Sequence, residues 1–158
     1  MIASTTELID FNQDHYEGKR MTLQKRFLVL GCLLFLFGLI SGLLTIIMEN
    51  PRMGLSAHMQ GITNGVFLIS IGAAWQHFTL SPKLSVLTFY LLAYGAVANW
   101  LATTLAALWG TGQMTPIHAP NPSASQWQEQ IVSLGLITLT AAMIVGSVLL
   151  VVGLLRKP

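Results

Sequence analysis

Four stretches without a single Asp, Glu, Lys or Arg dominate this chain: residues 27–48, 54–75, 84–109 and 131–155. At ~1.5 Å per helical residue, each is long enough to cross a hydrocarbon layer of ~30 Å. Such a layer offers no water to unpaired peptide groups, so these runs must be helices. The six prolines, at 51, 82, 116, 120, 122 and 158, all lie outside the runs, where they interrupt no helical hydrogen-bond ladder. The expected fold is all-α: an integral membrane four-helix bundle over 27–158, preceded by a polar segment over 1–26. Any polar side chain inside a run then becomes a candidate for function.

A chain of 158 residues that is 53% hydrophobic and 9% charged is unlike an ordinary soluble domain. A net charge of +2 is too small to suggest nucleic acid, but the placement of the charges is informative. Lys19, Arg20, Lys25 and Arg26 precede the first run, Lys83 lies between the second and third, and Arg156 and Lys157 follow the fourth. Only Arg52 lies on the other side. Basic residues collect in the cytoplasmic flanks of membrane proteins, which places both termini in the cytoplasm. The first run is longer than the apolar part of a leader peptide and has no small-residue cleavage pattern after it, so it reads as a retained span.

The turn at Glu49, Asn50, Pro51 and Arg52 and the loop over 76–83 are short, which makes successive helices antiparallel neighbours. The connection over 110–130 is longer and carries three prolines, His118 and Trp127. A binding loop and a disordered segment are equally consistent with it. Gly38 with Gly42, and Gly61 with Gly65, form Gly-xxx-Gly pairs. These serve helix contacts between chains or within one bundle. Cys32 is the single cysteine, so no disulfide forms within the chain.

His58 is the one side chain within the runs whose unperturbed titration lies near neutrality. At about 100° per residue it shares a stripe with Gly61, Gly65 and Gly72, with Asn64 at the edge. A histidine beside glycines would suit a flat group such as haem; a lone His packed at a helix contact is the commoner use of this pattern. His77 lies 19 residues along the same helix, about 28 Å away, so the two could not grip one haem. The third run supplies Tyr94, Asn99 and Thr103. By helical rise, Asn64, Asn99 and Thr103 fall at similar depth in the outer half, either bonding across helices or lining a cavity.

The segment Asn50-Pro-Arg-Met-Gly-Leu-Ser-Ala-His58, continuing Met-Gln-Gly-Ile-Thr-Asn64-Gly65, resembles the hydroxylaminobenzene mutases. So does Leu92-Ala-Tyr-Gly-Ala-Val-Ala-Asn99-Trp-Leu-Ala-Thr. The resemblance is good over 27–112, and extends to the fourth run by hydrophobicity alone. His58, Gly61, Asn64, Gly65 and Asn99 together also resemble the styrene oxide isomerases, small membrane enzymes of four helices. That resemblance implies a homotrimer with haem b between protomers, His58 as axial ligand beside Gly61 and Gly65, and Asn64 positioning the substrate oxygen. The isomerases carry a catalytic Tyr where this chain has Thr103, a departure that favours the mutase reading. The second polar partner is then Thr103, Tyr94 or Asn99.

The mutase resemblance implies conversion of an aromatic hydroxylamine to an ortho-aminophenol in a bacterial inner membrane. Loss of hydroxide from nitrogen is the hard step, and a Lewis-acidic ferric haem would assist it. The sequence shows no phosphate loop, paired carboxylates or nucleophile–His–Asp set for another chemistry. A haem-anchoring electron-transfer subunit would need a second axial ligand, and a channel would need polar groups along a whole path.

Overall fold

The computed structural model describes the backbone of residues 5–119 and 122–156, with side chains at 18 and from 21 onward. Pro120, Lys157 and Pro158, and the side chains of Lys19 and Arg20, lie outside what is described. Among the described residues the chain forms four α-helices and no strand: α1 (Thr5–Leu44), α2 (Pro51–Ala74), α3 (Pro82–Trp109) and α4 (Gln126–Leu155). Short 3-10 turns, Thr45–Ile47 and Trp75–His77, extend α1 and α2.

The helix starts follow from local chemistry. Asn50 accepts from the Met53 N–H at 3.1 Å and Ser81 accepts from the Leu84 N–H at 3.5 Å, with Pro51 and Pro82 directly after them. A capping oxygen satisfies an otherwise orphaned N–H, and proline at the first helical position loses no hydrogen bond. At the start of α4, Gln128 Oε1 accepts from both the N–H and the hydroxyl of Ser125, each at 2.8 Å. α3 ends on Gly110 at φ +67°, the left-handed conformation that glycine adopts without strain.

Two boundaries differ from expectation. The polar segment is helical from Thr5 and continuous with the first span, since between Thr5 and Arg26 no proline stops a helix. α2 also departs: Met21–Ile47, Pro82–Trp109 and Gln126–Leu155 are long and apolar enough to cross a membrane, whereas α2 is not among them. Its glycines, His58, Gln60 and Asn64 lower its hydropathy, and it is also the helix packed between α1 and α3.

Helices consecutive in the chain pack on each other, α1 with α2 most extensively, then α3 with α4 and α2 with α3. The Thr79 N–H donates to the Gly153 carbonyl at 2.8 Å at one end, and the Asn50 N–H to the Ala107 carbonyl at 2.9 Å at the other, which sets an alternating up-and-down order. The contact between α1 and α2 is backbone on backbone. A Cβ at Gly61 would collide with Gly38 Cα; one at Gly38 would fall 2.6 Å from Ile62 N; one at Gly31 would fall 2.7 Å from the Gly65 carbonyl oxygen. The Gly-xxx-Gly pairs therefore serve packing within the chain.

Two apolar clusters flank the middle of the bundle. One joins Phe27, Leu34, Leu68, Trp75, Phe89 and Leu92, with Phe27 ring centroids 5.0 Å from Trp75 and 4.9 Å from Phe89. The other joins Met48, Met53, Ala106, Ala107 and Val132. The long connection is folded down beside the second cluster. Glu129 accepts from the N–H groups of Gly112 and Gln113 at 2.7 and 3.0 Å, the Ser123 N–H donates to the Gly110 carbonyl at 3.2 Å, and Asn50 Nδ2 donates to the His118 carbonyl at 3.1 Å.

A β-branched side chain at Gly61 must push α1 and α2 apart. Gly61→Ile is expected to lower stability by about 1–3 kcal/mol, read as a lower unfolding temperature in detergent. Gly18, whose Cβ would meet nothing within 4 Å, supplies the control: Gly18→Ala should leave the temperature unchanged or raise it.

Candidate functional site

Between the two apolar clusters lies a band of polar side chains from α1, α2 and α3. Its first element is His58, half-buried on α2. Because α1 approaches through glycines, the imidazole rests on the bare backbone at Gly42, where a Cβ would fall 2.5 Å from Nδ1. Nδ1 lies 2.8 Å from the Gly38 carbonyl oxygen. A carbonyl only accepts, so Nδ1 carries the proton and donates it. In the neutral ring, Nε2 is then left with a lone pair. Among the described residues Nε2 has no hydrogen-bond partner.

That arrangement bears on which cofactor His58 could hold. Metal-binding histidines commonly donate their second ring N–H to a carbonyl or carboxylate, which fixes the tautomer and the ring plane. Among the described residues no three His, Cys, Asp or Glu side chains come together, so a bare ion would find no protein cage. A haem brings its own equatorial nitrogens and asks for an axial imidazole, which the His58 geometry fits. Gly61 and Gly65 do not provide the open surface expected of them. Both are buried, Gly61 against Gly38 and Gly65 against Gly31 and Phe35, so α1 already covers that stripe.

The second element is a carboxamide cluster. Asn99 Nδ2 donates to Gln60 Oε1 at 2.8 Å, and Asn64 Nδ2 reaches the same oxygen at 3.4 Å. Asn64, 7% exposed, and Asn99 were both singled out by sequence, and α2–α3 packing brings them onto one acceptor. Gln60 was not. Its signal was available: it precedes Asn64 by four residues, so the two share a helix face in an otherwise apolar run. His58 is turned to α1 while Gln60 and Asn64 serve α3, and no hydrogen bond links the two elements among the described residues.

The remaining candidates separate. Thr103 is buried, and its hydroxyl is engaged by carbonyls of its own helix, Asn99 at 2.8 Å and Trp100 at 3.0 Å. The Tyr94 hydroxyl pairs with Thr138 Oγ1 at 2.7 Å, on the α3–α4 seam rather than beside Asn64. Trp100 is a packing residue: its indole N–H donates to Ser41 Oγ at 2.9 Å and its ring stacks on Phe37 at 5.3 Å, which holds α3 against α1. The site thus offers one unpaired imidazole nitrogen and a cluster of neutral amides, a set able to bind and orient a polar group without any ionised side chain.

Comparison with known proteins gives a consistent picture. A family model described as styrene oxide isomerase matches residues 23–155. The chain is 43% identical over 127 residues to hydroxylaminobenzene mutase HabA of Ectopseudomonas oleovorans, covering 80% of this chain and 94% of that protein. It is 42% identical over 145 residues to hydroxylaminobenzene mutase HabB of the same organism, covering 91% of this chain and 88% of that protein. No solved structure matches the chain.

Proposed function

The chain belongs to the styrene oxide isomerase family and is an isomerase, and from that premise we propose that it is a membrane-bound mutase converting aromatic hydroxylamines to ortho-aminophenols. Two relatives of that activity, at 43% and 42% identity, support the substrate class. The observation that carries the mechanism is His58, with Nδ1 tied to the Gly38 carbonyl and Nε2 unpaired. In the reaction the N–O bond breaks and a C–O bond forms at the ortho carbon. The ring gives up its ortho proton, nitrogen ends as an amine, and no net oxidation occurs.

His58 Nε2 would be the atom that holds a haem b, while the Gly38 carbonyl keeps the imidazole from turning. The haem would supply a Lewis acid that makes hydroxide a better leaving group. Asn64 and Asn99 would bind the hydroxylamine through their amides, keeping nitrogen and oxygen at a fixed place relative to the aryl ring. The apolar clusters on either side exclude water that would otherwise capture the electron-poor ring. Thr103, with its hydroxyl engaged by two carbonyls, does not replace the O–H of a tyrosine. That favours the mutase over epoxide isomerisation.

The membrane setting belongs to the same proposal. Lys25, Arg26, Lys83 and Arg156 fall at one end of the alternating bundle and Arg52 at the other, which by the positive-inside tendency puts both termini in the cytoplasm of a bacterial inner membrane. α2 would complete the fourth span under cover of α1 and α3. A homotrimer fits a chain in which α4 packs chiefly on α3 and large side chains such as Leu43, Ile46, Leu134 and Ile144 face outward.

Purified protein should convert phenylhydroxylamine to 2-aminophenol, followed by chromatography; conversion of styrene oxide alone would point to the epoxide reading, and no conversion of either would remove the proposal. His58→Ala should abolish turnover and any Soret absorption of the wild type, with imidazole restoring part of the spectrum. Asn64→Ala should keep that absorption while turnover falls by ~10²–10³, the usual cost of one oriented hydrogen bond to developing charge. Reporter fusions after the last residue should be active only in the cytoplasm; periplasmic activity would reverse the orientation.

A further inference from the structure

An asparagine amide in an apolar setting has two orientations of nearly equal shape, related by a flip that exchanges C=O and NH2. They differ in the sign of the dipole they present. Gln60 couples the two choices, because a single atom of its amide, Oε1, lies 2.8 Å from Asn99 Nδ2 and 3.4 Å from Asn64 Nδ2. With that oxygen as the shared acceptor, both asparagines turn an N–H toward it and both Oδ1 atoms away. Among the described residues the buried side-chain polar atoms without a partner are Thr111 Oγ1 and Ser133 Oγ. The unpaired amide atoms of Gln60, Asn64 and Asn99 are not among them, so they are not fully sealed inside the bundle although Asn64 is 7% exposed.

We propose that Gln60 is a positioning residue of the active site, fixing Asn99 firmly and Asn64 more loosely so that their carbonyl oxygens face the substrate nitrogen. This rests on the mutase reading. When the N–O bond breaks heterolytically the electron pair leaves with oxygen, and positive charge grows on nitrogen and the ring. A carbonyl oxygen accepting the substrate N–H is stabilising at that moment, whereas a flipped amide would present its own N–H and oppose the charge. The dipole is already oriented before reaction, so no reorganisation is needed when the charge appears. The two distances grade the effect: Asn99 should be held more tightly than Asn64.

Gln60→Met keeps the length of the side chain and removes the acceptor. It should lower kcat by about 10–100-fold, with KM changed by less than about threefold because the aryl ring still binds. Gln60→Glu keeps an accepting oxygen in either protonation state and should recover most of the rate. In an Asn99→Ala background the Gln60→Met loss should shrink to less than about threefold, since the residue through which Gln60 acts is gone. A loss that multiplies in full in the double variant would mean a merely structural role and overturn the inference. A second measurement needs neither substrate nor variant: in wild-type protein with ¹⁵N-labelled asparagine, the Asn99 side-chain amide should exchange with solvent more slowly than that of Asn64. Equal and rapid exchange would overturn the anchor. If the wild type converts no hydroxylamine while the Asn99 amide is protected, the mutase reading fails and the anchor stands.

Discussion

Where Gly38 of α1 meets Gly61 of α2, the two helices touch through bare backbone, and the polar geometry of the bundle follows from that approach. With any side chain at either position α1 would stand off, and the Gly38 carbonyl would no longer lie 2.8 Å from His58 Nδ1. Gly42 extends the same contact by leaving room for the imidazole itself. Close helix approach through small residues is a common solution where lipid, being as apolar as the side chains, supplies no hydrophobic drive between helices. Here it also aligns a backbone acceptor with a ring nitrogen and so selects one tautomer. The contact that packs the helices is the one that frees Nε2.

The middle of the bundle bears a cost that the flanking clusters offset. Three carboxamides, a histidine and the Ser41–Trp100 pair lie between apolar clusters anchored by Phe27 and Met53. Hydrogen bonds between membrane helices each contribute only about 0.6–2 kcal/mol, so the band adds little to stability for the number of polar atoms it contains. Such a band is better explained by binding than by adhesion, since several of its amide atoms are unpaired among the described residues and not fully sealed. Neutral amides would suit the proposed reaction through a cation: they can orient a substrate without a carboxylate that could trap the ring covalently.

Much of this was legible in the sequence because the signals were local. Uncharged runs of membrane-spanning length became helices, Asn50 and Ser81 became caps with Pro51 and Pro82 after them, and Asn64 and Asn99 fell at one depth. What was not legible depended on which helix lies beside which. The glycine stripe with His58 reads equally as a platform for a flat group or as a seam, and only the approach of α1 decides for the seam. Tyr94 differs from Asn99 by which neighbour its face meets, α4 rather than α2. The connection after α3 reads equally as a binding loop or disorder because its fold depends on remote partners, Glu129 gripping two backbone N–H groups and Asn50 reaching the His118 carbonyl. Gln60 escaped because its meaning lies in a partner 39 residues away.

On the proposed function the transfer is intramolecular: oxygen would leave nitrogen, stay between the apolar clusters, and return to the ortho carbon. Oxygen isotope follows that path. With phenylhydroxylamine labelled as N–¹⁸OH and incubated in ordinary water, the account predicts 2-aminophenol that retains the label. Product carrying solvent oxygen would mean that water captures the ring after hydroxide escapes, and would contradict a site built to hold the departing oxygen.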